Sequence, residues 1–211
     1  GVGGDYSAFQ VIDITEVPYR IVAKYRKNDI SPLLYPTVIY KIGKEYNDAH
    51  LLIEINVSEQ VAHILYNELE YENFLFVNRH TNGQYVGGGF GGGKTQLGVN
   101  TDKKIKRIGC HNFKSLVEEN KLLITDADTI SEISTFIEKK GSYEADEGYH
   151  DDLVMPLVLF GWLTTNSYFK DLNNVNLREI MYKKQIEAIE DELTPFGFYD
   201  DGNGEKDPLN F

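Results

Sequence analysis

Acidic residues stand at places in this sequence where a sheet edge and a helix start could gather them. Asp5 precedes the first β-rich run, Glu54 lies inside the most apolar run (LLIEIN), and Asp151-Asp152 opens the phrase GYHDDLVMPLVLFGW. A carboxylate between Ile53 and Ile55 is costly to bury unless it pairs or meets a metal. Strand alternation equally allows Glu54 to face away from its neighbours, into solvent. Carboxylates from central strands and a helix start can converge on one edge of a sheet and hold two Mg²⁺ or Mn²⁺ ions. Such a pair activates a water and stabilises the leaving oxygen in phosphodiester hydrolysis. Singly, each acid has a plain structural reading: Asp5 as a turn residue, Glu54 as a salt-bridge partner, Asp151 as an N-cap with Asp152 favouring the helix dipole. Jointly, their order of strand, strand and helix favours a site.

Other motifs carry less. The stretch GGFGGGKT, from Gly88 to Thr95, matches the P-loop pattern letter for letter. A P-loop needs a helix starting at the Lys so that its N–H groups cradle phosphate. Here QLGVNTDKK follows, a poor helix with a turn-like Thr101-Asp102. The better reading is a glycine-dense loop presenting Lys94, Lys103, Lys104, Lys106 and Arg107 to a phosphate backbone. His150 could be a ligand or proton shuttle, and a capping or surface role fits it as well. A Cys110-His111 nucleophile pair fails, because neighbours on a helix point about 100° apart and no orienting acid is in view. The acidic run Glu187, Glu190, Asp191, Glu192 reads as a solvated helix face.

The elements that must position these residues are read from periodicity. Ala8 to Thr15 and Val17 to Tyr25 form a hairpin. A helix starts at Ser31-Pro32 and runs to Tyr46. His50 to Asn56 is a buried strand, Ser58 caps a helix with Val61, Ile64, Leu65 and Leu69 on one face, and Phe74 to Val77 is a strand. A long loop covers Asn78 to Asn100, then come a helix at His111 to Glu119, a strand at Leu122 to Thr125, and a helix at Thr129 to Glu138. Gly148 to Thr164 reads as a buried helix and Leu177 to Leu193 as an amphipathic one. The expected architecture is a mixed α/β domain over residues 1–193, with a loosely ordered acidic tail at 194–211.

Composition agrees. The 211 residues carry 41% hydrophobic side chains, enough for a core. No apolar run approaches the ~20 residues needed to cross a bilayer, so no membrane partner is expected. The single cysteine excludes an internal disulfide and a cysteine zinc site, which makes a reducing cytoplasm the default. The chain opens without an initiator Met or a signal peptide, as a fragment or processed product would. Net charge is −12, yet the stretch from Val86 to Lys114 nets +5, leaving −17 elsewhere. A basic strip on an acidic body suits a DNA-binding face.

With these residues in hand, the chain resembles the nuclease domain of the large terminase subunit of T-even-like tailed bacteriophages. The matching phrases are GDYSAFQVIDIT, LLIEIN, SEQVAHILYNELEYE, KKIKRIGC and EGYHDDLVMPLVLFGWL. The resemblance implies an RNase H/resolvase-like mixed sheet flanked by helices, and a metal-dependent endonuclease that cuts concatemeric double-stranded DNA for headful packaging. It implies a site built on Glu54 and Asp152, with Asp151 as neighbour and Asp5 as an additional acid. It also implies an N-terminal packaging ATPase domain in the same subunit, a portal protein and a small terminase subunit as partners, and the host cytoplasm as location. The family's first catalytic Asp sits on a strand just ahead of the GDYS phrase. That strand is expected to be absent here, which would leave the metal site incomplete.

Other functions share parts of this reading. A Holliday-junction resolvase would use the same chemistry and prefer four-way junctions. An NTPase module would depend on Gly88 to Thr95, and a non-catalytic DNA or protein docking module would bind no metal.

Overall fold

Alternating apolar residues in the first two β-rich runs produce the expected hairpin in the computed structural model, which describes residues 6–80, 83–87, 94–139 and 141–192. Strands β1 (Ser7–Asp13) and β2 (Tyr19–Lys27) pair antiparallel, Ser7 opposite Lys27, with a register shift between Val11 and Ile12. Helix α1 (Tyr35–Glu45) starts later than Ser31-Pro32. Ser31 closes a preceding turn, its carbonyl accepting from the Leu34 and Tyr35 N–H groups at 2.9 and 3.0 Å. Pro36 takes a first-turn position of the helix, where its missing N–H costs nothing.

Among the described residues, the run 51–55 joins its neighbours through single parallel bridges, Leu51 to Phe74 and Glu54 to Val99, and not through a continuous ladder. The Ser58 hydroxyl accepts from the Gln60 N–H at 3.1 Å, ahead of helix α2 (Gln60–His63). The helix widens at once into a π turn, Ile64–Glu68, closed by a bond from Leu69 N–H to the Ile64 carbonyl at 2.9 Å. Ala62, Ile64 and Leu65 are buried along it.

The expected long loop from Asn78 to Asn100 is corrected. Strands β3 (Val77–His80), β4 (Gly83–Val86) and β5 (Lys94–Gln96) form an antiparallel sheet in the order β4-β3-β5. Glycine density hides these strands, whose buried apolar pair, Val77 opposite Val86, anchors them to the core. Residues 88–93 lie outside the described residues. Helix α3 (Lys103–Glu118) also begins well before His111, because the Asp102 carboxylate accepts from the Ile105 N–H at 2.8 Å and caps it. The stretch Lys103 to Arg107 is therefore helical, not loop.

Strand β6 (Leu122–Leu123) adds parallel to β2, giving the mixed sheet β1-β2-β6. Helix α4 (Ala127–Ser134) ends short of Glu138, and the hairpin of β7 (Phe136–Lys139) and β8 (Ser142–Ala145) replaces the expected last turns. Helices α5 (Val154–Leu163) and α6 (Ser167–Glu192) follow.

The fold is mixed α/β, with small sheets and helices around two apolar clusters. One gathers Tyr19, Val77, Val99, Phe113, Leu157 and Trp162, and the other Ile39, Ile55, Leu65 and Phe74. Contacts divide the chain into a unit over Gly1–Val175 and a second over Asn176–Phe211. Of the second, residues 176–192 are described and continue α6. Among the described residues no helix is long and apolar enough to cross a membrane.

Helix α4 docks on β1 and β2 through polar groups. Gln10 donates to the Thr129 hydroxyl at 3.0 Å, and Lys24 pairs with Asp126 and, at 2.6 Å, with Asp128. Asp126 also caps α4, accepting from the Thr129 N–H at 2.8 Å. Burial alone would raise the Asp126 pKa, but Lys24 and Thr129 outweigh it and hold the carboxyl below its ordinary value. A depressed aspartate contributes stability above its unfolded pKa of about 3.9 and loses it as pH falls through the folded value. Asp126→Ala should therefore cost about 1–2 kcal/mol at neutral pH. The gap between variant and wild type should begin to narrow below about pH 4 and close only below the lowered folded pKa. Urea midpoints across pH check this, and a pH-independent gap contradicts it.

Candidate active site

Alternation along β2 puts Arg20, Val22, Lys24 and Arg26 on one face, and α4 covers the last two. Arg26 is the hub of a cationic and acidic cluster. One of its terminal nitrogens lies 3.1 Å from Glu132 Oε1 and the other 3.5 Å from Asp152 Oδ2. The guanidinium sits 4.0 Å over the Tyr6 ring, and that ring meets His150 edge-on at 5.1 Å. His150 Nδ1 is 3.6 Å from the same Asp152 oxygen. A shallow cavity of about 180 Å³ lies beside this cluster, lined by Arg26, Glu132, Tyr149 and His150 among others.

Glu132 fixes the start of α5. Its side chain is buried, and Oε2 accepts from the Leu153 N–H at 2.7 Å. Burial pushes the carboxyl above the ordinary glutamate value, against the pull of Leu153 and Arg26, and Asp152 adds to the push. Asp151 caps the helix through its backbone carbonyl, which accepts from Val154 and Met155 at 3.1 and 2.9 Å. Its carboxylate instead faces Lys106 at 3.8 Å. Thus Arg26, Glu132 and Lys106 hold the Asp151-Asp152 pair from three separate elements.

Glu54 is exposed, consistent with a side chain pointing away from the packed Ile53 and Ile55. The backbone of its segment is tied on one side. Val99 N–H bonds the Ile53 carbonyl at 2.8 Å, and Ile55 N–H bonds the Val99 carbonyl at 2.9 Å. Gly98 makes this approach possible. Its φ is +112°, and a Cβ there would fall 2.4 Å from the Ile53 carbonyl oxygen.

His150 and Asp152 face each other beside Arg26, Asp151 faces Lys106, and Glu54 lies on the 51–55 segment bridged to Val99. Among the described residues no three His, Cys, Asp or Glu side chains are gathered as a metal-holding group. Asp5 lies outside the described residues. Lys94 is an exposed residue of β5, and Lys103, Lys104 and Arg107 are exposed on α3. Lys106 differs from these. Its side chain is 19% exposed and turned to Asp151, with the ammonium 5.6 Å over the Phe136 ring.

Residue type still suits a hard cation. A Mg²⁺-like ion is commonly held by one or two carboxylates, retaining waters and meeting substrate phosphates. Asp151 and Asp152 supply that donor set at one helix start, each balanced by one cationic side chain, Lys106 at 3.8 Å and Arg26 at 3.5 Å. The discarded motifs stay discarded. Lys94 opens a strand, not a helix, and burial pushes the Cys110 thiol up to about 11, which keeps it protonated at neutral pH.

Sequence reasoning missed Tyr6, Arg26 and Glu132. The expected hairpin stops at Tyr25, one residue before Arg26, and Glu132 falls inside the expected helix Thr129 to Glu138 with no role assigned to it. A comparison with protein families matches residues 1–175 to the model described as a terminase RNaseH-like domain. The match ends where the first compact unit ends.

Proposed function

The chain belongs to the family of terminase RNaseH-like domains, and from that membership we propose a metal-dependent endonuclease domain of a large terminase subunit, of the T-even-like phage type. It cuts concatemeric double-stranded DNA for headful packaging, in the host cytoplasm. The domain is read as 1–193, with 194–211 as its tail. Its partners are duplex DNA, the packaging ATPase domain of the same subunit, the portal protein and the small terminase subunit.

The observation that carries this reading is the acid pair at the head of α5, inside the family match and held by Arg26 and Lys106. Glu54 and Asp152 would hold two Mg²⁺ or Mn²⁺ ions, with Asp5 and Asp151 assisting. Bound there, the ions would supply an activated water and stabilise the leaving oxygen. The chain's own residues do the rest. Glu132 pins the first turn of α5 so that Asp152 keeps its place, and Arg26 balances the Asp152 charge. Lys94, Lys103, Lys104 and Arg107 meet phosphates, so little base-specific readout is expected.

The test, run with the whole large subunit that this domain is proposed to belong to, is conversion of supercoiled plasmid to nicked and linear forms with Mg²⁺ or Mn²⁺, with a chelator arm. Cleavage that the chelator stops is expected. Cleavage that survives the chelator contradicts metal dependence, and plasmid that stays intact with either ion contradicts the nuclease assignment. Stronger cleavage of four-way junctions than of linear duplex would favour a resolvase.

A further inference from the structure

Helix α3 carries more cationic surface than the strip ending at Arg107. At 100° per residue, Lys103, Lys104, Arg107, His111 and Lys114 fall within an arc of about 100°. The buried stripe Ile105, Gly109, Phe113 lies opposite, and Lys106 sits at its flank. The hairpin of β7 and β8 rises beside this basic face. Between them runs an open groove of about 530 Å³, lined by Arg107, Ile108, Cys110, His111, Asn112 and Lys114 of α3 and by Tyr143 of β8. No acid is among its lining residues as far as the described residues go, although acids outnumber bases 33 to 21 in the chain.

We propose that this groove seats one strand of the duplex phosphate backbone, with Arg107, His111 and Lys114 as its contacts and Tyr143 as its far wall. The spacing supports it. Arg107 to Lys114 spans about 10 Å along the helix axis. That is the axial length of about three phosphates of one strand, at about 3.4 Å each. The thiol of Cys110 is neutral at physiological pH and adds no repulsion. Tyr143 is held by its stack on Phe136, with ring centroids 6.2 Å apart and planes 21° from parallel, which steadies this wall of the groove. The acid that the hairpin sets beside it, Glu138 opposite Tyr143 in register, is outnumbered by the cations of α3. Lys114 reaches Glu118 at 3.6 Å, but both side chains are largely exposed and the pair is weak enough to yield to a phosphate. The footprint therefore runs further along α3 than the Lys103 to Arg107 strip and omits Lys106, which is engaged with Asp151.

This inference rests on the nuclease reading only for the identity of the ligand, and the two fail separately. The experiment is fluorescence anisotropy of a short labelled duplex against salt, for wild type, Arg107→Ala/Lys114→Ala, and a charge-matched control, Lys41→Ala/Lys44→Ala, on α1. The groove variant should bind roughly ten- to thirtyfold more weakly, and its log-log salt slope should be shallower by about 2. The control should keep the wild-type slope. A groove variant with wild-type affinity and slope overturns the groove while cleavage still supports the nuclease, and it leaves the basic face of α3 to an acidic protein partner. Equal losses in groove variant and control overturn it too, since general charge would then explain binding. Groove-dependent binding by a chain that never cuts plasmid sustains the groove and sinks the nuclease.

Discussion

Asp152→Asn is expected to lower plasmid cleavage about a thousandfold while the protein still folds and still binds duplex. The substitution preserves shape and removes one negative charge, which lies 3.5 Å from an Arg26 nitrogen and 3.6 Å from His150. If Asp152 is the proposed metal ligand, losing its charge would forfeit several kcal/mol of transition-state stabilisation, and about 4 kcal/mol corresponds to a thousandfold. The fold loses less, because Glu132 still accepts from Leu153 and still pairs with Arg26. Glu54→Ala should be equally silent in cleavage and leave the urea midpoint unmoved, since its side chain is exposed. Asp151→Asn serves as the discriminating variant. Its carboxylate faces Lys106 at 3.8 Å, and as an assisting group it should cost about 10- to 100-fold. Single-turnover cleavage of supercoiled plasmid reads all three. If the asparagine at 151 silences the protein and the one at 152 does not, the two roles are exchanged. Full activity of Asp152→Asn would remove the acid pair from the reaction.

The parts of this site that could be read from residue order are those with strong local grammar. The hairpin of β1 and β2 follows from period-two alternation, and α5 from an apolar run that is buried on nearly every side. Its opening acids stand out through their order with Asp5 and Glu54, since an N-cap and the helix dipole account for each of them singly. The parts that stayed hidden depend on contacts distant in sequence. Arg26 lies one residue beyond the expected hairpin, on a face of β2 that α4 covers and pairs with through Glu132 and Asp126. No local pattern in TISEIST marks Glu132 as buried, since the cause is the Leu153 N–H and the Arg26 guanidinium arriving from elsewhere.

A different reason hid the basic helix. Thr101-Asp102 reads equally as a turn and as an N-cap, and the glycines before it favour the turn. The decision falls to two tertiary bonds: the Asn56 side chain donates to the Thr101 carbonyl at 2.9 Å and accepts from the Thr101 N–H at 2.6 Å. They fix the chain so that the Asp102 carboxylate can cap α3. That shift moves Lys103 to Arg107 from a flexible loop onto a rigid rod, which would make the proposed DNA contact pre-spaced instead of adaptable. It also explains why one lysine of the strip, Lys106, turns toward Asp151 while its neighbours face solvent.

The second large effect is expected at the crossing of α3 and α5, which ties the basic face to the acid pair. A Cβ on Gly109 would lie 2.2 Å from the Val158 carbonyl oxygen, and one on Gly161 would lie 2.5 Å from the Gly109 carbonyl oxygen and 2.7 Å from the Phe113 nitrogen. These neighbours are backbone atoms, so no side chain can swing aside and the helices must separate. Overpacking of this kind costs about 3 kcal/mol, against which alanine's better helix propensity returns about 1 kcal/mol. Gly161→Ala should therefore lose about 2 kcal/mol net and lower Tm by roughly 5 °C. Because separation also draws Lys106 of α3 away from Asp151 at the head of α5, cleavage should fall in the same variant at temperatures where it remains folded. Gly148→Ala provides the contrast. Its φ is +84° with no atom within 4 Å of the added Cβ, so only the left-handed backbone is penalised, at about 1 kcal/mol. Thermal melts of the two variants decide the matter, and a Gly161→Ala protein as stable as wild type would mean that the two helices can slide apart without cost, leaving Lys106 and Asp151 uncoupled.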